Sequence, residues 1–370
     1  MENETTKISI IIPVYNAARY IEECVLSAAG QPLREIEIIC VDDGSSDSSM
    51  DIVESLRERD GRIKAVYKPH SGPGATRNTG LAGATGKYVL FLDADDMLAD
   101  GSLEELFQTA ESLETDILYF GGESIYNSPE LEESFPQYKD LYKRKVGTTE
   151  AMAGLALYIR MQEVADFKSA CVLQMYRRGF LSESGLSFLE GVLHEDPPFT
   201  FISMIRARRA AVTDATVYVR RVREGSIMTV APTFDNLYGY YAALREMLFE
   251  LRTDGIAGAD RLTRDILHKA INRMHKLALR VYAAIDGDTL EAGLAVLDAY
   301  DRSLFDLTIR PAARAKRLRA RNLDLEEKKA AMKAKLEAER EKRRAAEGEL
   351  RHIKRSFVYR AAKALRLIKL

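Results

Sequence analysis

The chain has 370 residues, 46% of them hydrophobic and 30% charged, an ordinary composition for a soluble protein with two or three domains. Its net charge of −2 is unevenly distributed, because residues 310–370 carry 21 basic and 8 acidic side chains. Three scattered cysteines (Cys24, Cys40 and Cys171) argue against a disulfide or zinc framework, and no apolar run approaches the ~20 residues that span a bilayer.

The N-terminal residues MENETTK are polar and lack the basic and then apolar layout of a signal peptide. We therefore expect the protein to be cytoplasmic, or to lie on the inner face of the cell membrane. The acidic body and the basic tail suggest two different roles.

Strands and helices alternate through the first 120 residues. Strands are predicted at residues 8–14, 36–41, 63–67, 88–92 and 116–120, with helices near residues 18–29, 47–59 and 74–82 and up to 112. Asp47 is the expected N-cap of the second helix, and Pro13 must lie at the end of the first strand. The alternation predicts an open parallel α/β sheet, which binds ligands beyond the carboxyl ends of its strands.

Beyond residue 123 the pattern becomes less regular and then helical. We expect a strand at 212–222, helices from 236 to about 300 with breaks at 255–258 and 286–288, and a long charged helix from Pro311. The predicted domains are residues 1–232, residues 233–309 and residues 310–370.

Acidic clusters follow two of the predicted strands. Asp42 and Asp43 end the second strand, and Asp93, Asp95 and Asp96 follow the fourth. Three carboxylates within four residues repel one another unless a positive group lies among them, and Mg²⁺ and Mn²⁺ bind carboxylate and phosphate oxygens. The second cluster therefore fits a divalent metal site, and a set of turn residues and helix caps is the alternative.

Several other catalytic motifs are absent from the sequence. No G-x-G-x-x-G follows the first strand, Tyr88 stands where a P-loop needs Ser or Thr, and His194-Glu195 is not followed by the second histidine of a metalloprotease helix. No G-x-S-x-G elbow occurs. Dinucleotide-binding, P-loop and serine-hydrolase folds are therefore disfavoured.

Five motifs occur in order along the first two hundred residues. They are IIPVYN at 11–16, VDDGSSD at 41–47, GPGATRNTGL at 72–81, FLDADD at 91–96 and HEDPPF at 194–199. Together they resemble family 2 of the inverting glycosyltransferases, over about residues 7–202. The resemblance implies a GT-A fold, a Rossmann-like, mostly parallel sheet flanked by helices, here followed by a helical region and a long C-terminal helix.

The sequence departs from the family pattern at two places. Thr76 stands where alanine is common before the Arg-Asn pair, and Pro197-Pro198 replace the usual helix-forming pair after Glu-Asp. Both departures leave the acidic residues of the motifs in place.

The resemblance also implies a binding site for the donor nucleotide. Pro13 and Tyr15, with Asp42 or Asp43, would hold the base, and the other aspartate would cap its loop. Arg77 would point toward the nucleotide or its phosphates, with a surface ion pair as the alternative. Uridine is the commonest base in this family, so a UDP-sugar is the default donor.

The FLDADD segment supplies the DXD motif of the family. Asp93 would lie near the ribose, and Asp95 would bind Mn²⁺ or Mg²⁺ between itself and the diphosphate. Asp96 would orient Asp95 or its bound water without binding the metal directly, and Asp93 would also support the metal site.

Asp196 is the expected general base, because an inverting transfer needs a carboxylate on the face opposite the leaving diphosphate. Glu195 is the weaker candidate, and His194 is expected to be an orienting or surface residue. The alternative is an N-cap cluster, since Pro197-Pro198 favour a first helical turn. Both interpretations can hold together, because a helix start holds a carboxylate firmly.

The tail carries two further signals. Residues 314–350 have a modest heptad pattern of apolar residues, which predicts either a homo-oligomeric coiled coil or a single solvated helix. Residues 353–370 form a basic amphipathic pattern that indicates an anionic membrane surface or docking on protein. Nucleic acid is not expected as a partner, because no aromatic stacking set is interleaved.

Three functions are compatible with these patterns. The favoured one is a metal-dependent transferase that moves a hexosyl or N-acetylhexosaminyl group from a nucleotide-diphosphate sugar to a glycan, lipid-linked or cell-envelope polymer acceptor. The alternatives are a non-catalytic nucleotide-binding scaffold with an oligomerising or membrane-binding tail, and a sugar nucleotidyltransferase.

Overall fold

The computed structural model describes residues 6–224, 233–253 and 260–355. The chain divides into two compact units, Met1–Ala299 and Tyr300–Leu370. The strands are β1 Ile8–Val14, β2 Ile36–Asp42, β3 Ile63–Tyr67, β4 Tyr88–Phe91, β5 Met97–Leu98, β6 Ile117–Tyr126, β7 Gln174–Arg177 and β8 Ala210–Val222. The α-helices are α1 Ile21–Ala29, α2 Ser49–Arg57, α3 Pro73–Gly83, α4 Ser102–Ser112, α5 Pro129–Ser134, α6 Gly154–Glu163, α7 Arg178–Glu183, α8 Asp196–Arg206, α9 Phe234–Thr253, α10 Arg261–Ala284, α11 Gly287–Ala295 and α12 Ala299–Arg355.

The strands form one mixed sheet in the order β3-β2-β1-β4-β7-β6-β8-β5. β3, β2, β1 and β4 are mutually parallel, whereas β7 runs antiparallel to both of its neighbours, β4 and β6. Because β8 is parallel to β6 and β5 is antiparallel to β8, six strands point one way and only β5 and β7 point the other. The predicted mostly parallel α/β sheet is therefore confirmed.

The strand expected at 116–120 does not simply extend the parallel sheet. It is the longer β6, and β7 lies between it and β4. β7 was not predicted, because its four residues QMYR are too short for a periodicity and include a buried glutamine, Gln174.

The apolar runs of β1 and β4 form the centre of the sheet. Every residue of β1 is buried except Pro13, which is half-buried at the strand end as predicted, and all four residues of β4 are buried. The three cysteines are likewise buried with free thiols, as expected of small core residues. β4 ends just before Asp93, and β2, which pairs with β1, ends at Asp42, so the sheet fixes where the backbones of both acidic clusters begin.

Helices α9, α10 and α11 follow the sheet. α10 begins where Asp260 accepts a hydrogen bond from the Thr263 amide at 2.7 Å, and α11 begins where Asp286 accepts one from the Thr289 amide at 2.8 Å. The break predicted at 286–288 is thus a capped helix start. The break predicted at 255–258 lies outside the described residues.

The second unit consists, in its described part, of the long helix α12. Ion pairs between residues four apart, such as Arg310–Asp306 at 3.0 Å, line its first turns. Most of the apolar positions of the predicted heptad pattern, and residues 356–370 of the predicted amphipathic segment, lie outside the described residues and side chains. No helix in the described part of the chain combines the length and the apolar character needed to cross a membrane.

Candidate active site

The loop after β1 is pinned to the loop after β2. Asn16 adopts a left-handed conformation (φ 48°), and its side chain accepts a hydrogen bond from the Ser46 amide at 2.8 Å. Asp47 accepts hydrogen bonds from the Ala18 and Ser49 amides, both at 3.0 Å. Asp47 is therefore not the N-cap of α2, which is Ser48; its carboxylate instead ties the start of this helix to the neighbouring loop.

The two aspartates at the end of β2 have different surroundings. Asp42 Oδ1 accepts a hydrogen bond from the Ser45 amide at 3.0 Å. Asp43 accepts hydrogen bonds from Lys68 Nζ (2.6 Å), the Ser71 amide (2.8 Å) and the Gly72 amide (2.9 Å). Burial alone would raise the pKa of Asp43, but these hydrogen bonds outweigh burial and lower the pKa. Asp43 therefore stays ionised and holds the 68–72 segment against the sheet.

Tyr15 lies over the same segment. Its ring packs against the His70 ring, tilted by 33° with centroids 4.6 Å apart, and 52% of the Tyr15 residue surface is exposed. His70 Nδ1 in turn lies 2.9 Å from Asp43 Oδ2. Tyr15 and the two aspartates thus share one end of the sheet, with an exposed aromatic face beside buried acceptors.

Arg77 connects two of the predicted acidic groups. It is only 5% exposed, and its guanidinium pairs with Asp93 Oδ1 at 2.7 Å and with Glu195 Oε1. It also lies over the ring of Phe188, 5.5 Å from the centroid. The alternative of a surface ion pair for Arg77 is wrong, because the residue is buried. It lies between Asp93, which follows β4, and residues 194–196, which we call the HED segment.

The neighbouring Asn78 binds the backbone of the residues that precede the HED segment. Its amide group donates to the Phe188 carbonyl at 3.0 Å and accepts from the Phe188 amide at 2.9 Å. A Cβ atom on Gly74, at the start of the same helix, would lie 2.1 Å from the Leu189 carbonyl oxygen. Gly74 and Asn78 therefore fix residues 188–190 against α3, a function that the motif GPGATRNTGL did not reveal.

The three aspartates after β4 point to different partners. Asp93 pairs with Arg77, and Asp95 Oδ2 accepts from Arg223 Nε at 2.6 Å. Asp96 is buried and accepts from the Tyr218 hydroxyl and, at 2.7 Å, from the Arg221 amide. Burial, followed by the charges of Asp95 and Asp93, raises the pKa of Asp96 well above its ordinary value. Asp96 thus anchors this loop to β8.

Two arginines at the end of β8 complete this part of the site, and the sequence analysis missed both. Arg223 pairs with Asp95, and Arg221 Nε donates to the Asp95 carbonyl oxygen at 3.2 Å. The partners are 126 and 128 positions apart in the chain. Only the strand pairing that brings β8 beside β5 and β6 places them here.

Asp196 is the first residue of α8, as the proline pair predicted. Its Oδ1 atom is buried and has no hydrogen-bond partner among the described residues. The pKa of Asp196 is raised to about 7, and burial is the largest cause. Arg77 and the Cys171 thiol lower this pKa, whereas the negative charges of Glu195 and Asp93 add to the rise. A carboxyl group in this setting can exchange a proton near neutral pH.

The two residues before Asp196 are already engaged. Glu195 pairs with Arg77, and the His194 ring stacks on Tyr240 of α9 with centroids 3.9 Å apart. Burial lowers the pKa of His194 to about 4, so its imidazole is neutral at pH 7. His194 is thus held against α9 rather than lying free on the surface. Asp196 is the one acid of this segment that has a buried carboxylate oxygen without a hydrogen-bond partner.

The side chains near Asp95 fit one of the two ways in which proteins hold a divalent ion. The described residues contain no cluster of three His, Cys, Asp or Glu side chains able to hold a metal. Mg²⁺ and Mn²⁺ sites in nucleotide enzymes often use one or two carboxylates and take their other ligands from phosphates and water. The partly exposed Asp95, with only Oδ2 bonded to Arg223 among the described residues, fits that mode of binding.

Residues 9–180 match the sequence profile described as "Glycosyl transferase family 2". This segment is a glycosyl transferase family 2 domain. The family 2 domain contains the ends of β1, β2 and β4 and the whole of α3, whereas Asp196 and the β8 arginines lie beyond the matched residues. The resemblance to family 2 is therefore confirmed for the domain that holds four of the five motifs, whereas the motif at 194–199 lies beyond the matched residues.

Named relatives of the family 2 domain are bacterial glycosyltransferases. "Uncharacterized glycosyltransferase EpsJ" of Bacillus subtilis is 30% identical over 60% of this chain and 63% of its own length. "Poly(ribitol-phosphate) beta-glucosyltransferase" of Bacillus spizizenii is 27% identical over 69% of this chain and 38% of its own. The chain thus spans less than two thirds of either relative.

Solved structures agree with the fold. S. aureus TarS 1-349, crystallised in complex with UDP-GlcNAc, superposes with a TM-score of 0.54 at 23% identity, covering 84% of this chain and 92% of that one. The likeness bears out the predicted GT-A fold, with its helical C-terminal region.

Proposed function

We propose that this chain is an inverting, metal-dependent glycosyltransferase that uses a nucleotide-diphosphate sugar, with a UDP-sugar as donor. The observation that carries the proposal is the double ion pair of Arg77 with Asp93 and Glu195. It joins the end of β4, where a donor would bind, to the segment that presents Asp196, the general base of the proposal. This contact between the motifs at 91–96 and 194–199 supports a single site that includes both.

The donor would bind across the ends of β1, β2 and β4. Tyr15 offers an exposed ring for the base, and Asp42 or Asp43 offers acceptors for its polar edge, with Pro13 shaping the strand end. Arg77 would act on the donor by holding Asp93 beside it. The TarS complex with UDP-GlcNAc supports a uridine nucleotide for this arrangement of strands.

Asp95 would hold Mn²⁺ or Mg²⁺, with Asp93 nearby and Asp96 fixing the loop. A divalent ion at this position would neutralise the charge that develops on the leaving diphosphate. Replacing Asp95 by Asn should therefore abolish metal-dependent turnover.

Asp196 would remove the proton from the acceptor hydroxyl. The acceptor oxygen forms its bond to the anomeric carbon on the face opposite the diphosphate, and the bond between that carbon and the diphosphate oxygen breaks, so the configuration inverts. A pKa of about 7 suits the carboxylate to this role, because it is more basic than an ordinary aspartate and still ionises near neutral pH.

The acceptor is proposed to be a hydroxyl of a glycan, lipid-linked or cell-envelope polymer. The Bacillus spizizenii relative, whose name states glucosyl transfer to poly(ribitol phosphate), supports this class. A peripheral position on the inner face of the membrane would bring residues 353–370 to an anionic lipid surface, and a coiled coil of residues 314–350 would provide a homo-oligomer.

The test is a product analysis with Mn²⁺ and a panel of UDP-, GDP- and dTDP-sugars, using cell-envelope glycans and lipid-linked acceptors. Release of a nucleoside diphosphate together with a glycosylated acceptor is expected, and Asp196→Asn should abolish transfer while donor binding remains. Pyrophosphate release from a nucleoside triphosphate and a sugar phosphate would instead establish a nucleotidyltransferase. Near-normal transfer by the variant would refute the assignment of the base.

A further inference from the structure

Three arginines surround the ring of Tyr20 close to Asp95. The guanidinium carbons of Arg19, Arg221 and Arg223 lie 5.3, 5.4 and 5.3 Å from the ring centroid. We refer to Arg19, Arg221 and Arg223 as the Tyr20 arginine cluster. The ring attracts each guanidinium, so the cluster places three positive charges around one ring, and one of them pairs with Asp95.

Members of the cluster differ in the anion they contact. Arg221 donates to Glu23 at 2.6 Å and to Asn127 at 3.2 Å, and its own amide is bound to Asp96. Arg223 instead pairs with Asp95, the proposed metal ligand, at 2.6 Å. Arg221 is thus fixed by several partners, whereas the Arg223 side chain donates, among the described residues, to Asp95 and, at 3.4 Å, to the Glu224 carbonyl.

The pair of Arg223 and Asp95 is partly open to solvent. Their side chains are 28% and 25% exposed, so the ion pair is neither sealed in the core nor fully solvated. Partly exposed ion pairs of this kind are weak, so a bound diphosphate and a divalent ion can displace them. A guanidinium also binds phosphate oxygens in the same forked geometry that it uses for carboxylates.

We propose that Arg223 neutralises Asp95 in the nucleotide-free protein and leaves it for the donor diphosphate, so that metal binding at Asp95 depends on bound nucleotide. The proposal rests on the proposed function, because it takes Asp95 as the metal ligand. It makes Arg223 a positioning residue, which acts on the metal through Asp95. Tyr20 would keep the released guanidinium beside the site through the ring contact.

The test measures Mn²⁺ binding, by the electron paramagnetic resonance of free Mn²⁺, with and without UDP. In the wild type, Mn²⁺ alone should bind weakly, and UDP should tighten its binding. In Arg223→Gln, Mn²⁺ alone should bind about 3- to 10-fold more tightly, since the competing cation is gone. The factor by which UDP tightens Mn²⁺ binding should fall by at least the same amount.

Two further variants serve as controls for charge and for the shape of the guanidinium. Arg19→Gln removes the same charge from the same ring, but Arg19 has no ion pair with Asp95. It should change Mn²⁺ affinity less than 2-fold. Arg223→Lys keeps the charge but loses the forked donor, so it should fall between the wild type and Arg223→Gln, and thermal unfolding would verify that each variant is folded.

The outcomes separate the two proposals. Equal effects of Arg19→Gln and Arg223→Gln, or an unchanged Mn²⁺ affinity in Arg223→Gln, would overturn the role of Arg223. The proposed function would survive the failure of the Arg223 proposal if UDP with Mn²⁺ still bound the wild type and failed to bind Asp95→Asn. Absence of Mn²⁺ binding by every protein, with or without UDP, would overturn both proposals.

Discussion

At the residue scale, the adjacent acids Glu195 and Asp196 have opposite environments. Glu195 is paired with a buried arginine, whereas Asp196 Oδ1 is buried with no hydrogen-bond partner among the described residues. Glu195→Gln should therefore lower the free energy of unfolding by roughly 2–3 kcal/mol, because the buried Arg77 loses one of its two anions. Urea denaturation would measure this loss, and an unchanged midpoint would mean that the ion pair contributes little.

Asp196→Asn should instead raise the free energy of unfolding at pH 8. The folded pKa of about 7 lies above the ordinary value for aspartate, so folding binds a proton, and the ionised carboxylate costs increasing stability as the pH rises from about 4 to 7. The variant removes this cost, so it should be more stable than the wild type at pH 8, with a smaller difference at pH 5. Lower stability of the variant at pH 8 would contradict the buried setting of Asp196.

The same pKa predicts the pH dependence of catalysis. The general base must be ionised, so kcat/KM should rise with pH, with a midpoint near 7, and level off above it. Initial rates between pH 5.5 and 8.5 would show the midpoint. A rate that falls with rising pH across this range would require a different ionising group.

At the element scale, residues just before the HED segment pack closely against two helices, Leu189 against α3 and Leu193 against α9. A Cβ atom on Gly239 of α9 would lie 2.1 Å from the Leu193 carbonyl oxygen, so only glycine allows the helix to approach. Gly239→Ala should lower both stability and kcat, although alanine normally favours a helix by up to about 1 kcal/mol. Gly83→Ala is the matched control, because a Cβ atom there meets no atom within 4 Å.

Calorimetry and rate measurements on the two glycine variants would separate packing from propensity. The expected result is a loss for Gly239→Ala and a neutral or slightly stabilising effect for Gly83→Ala. Equal effects of both substitutions would mean that α9 can shift away from Leu193 without consequence for Asp196.

The elements also show what the sequence could predict. Strand β1 was predicted with its observed bounds, because a run of β-branched residues is a local signal. The ion pair between Arg223 and Asp95 was not predictable, because the two residues meet only through the pairing of distant strands. For the same reason, the pattern of aspartates predicted a metal site but did not reveal that Asp96 bonds to β8.

At the scale of the whole molecule, charge is divided between an acidic body and a basic tail. We expect the full chain to co-sediment with vesicles of anionic phosphatidylglycerol more than with neutral phosphatidylcholine vesicles, and less strongly as salt is raised. Exchanging Arg360, Lys363 and Arg366 for glutamate should abolish this difference, and exchanging three lysines of the 328–335 region provides a charge-matched control. Equal sedimentation with both lipids would argue for a protein partner of the tail.

The central claim is that the ends of β1, β2 and β4 bind a nucleotide diphosphate through a divalent ion at Asp95. The most direct measurement is thermal unfolding of the wild type and Asp95→Asn with UDP, GDP or dTDP, each in Mn²⁺, Mg²⁺ or EDTA. We predict that one diphosphate, UDP by preference, raises the Tm of the wild type with metal, and that EDTA or Asp95→Asn removes the rise. A folded wild type whose Tm no diphosphate changes would contradict the account and favour a non-catalytic scaffold.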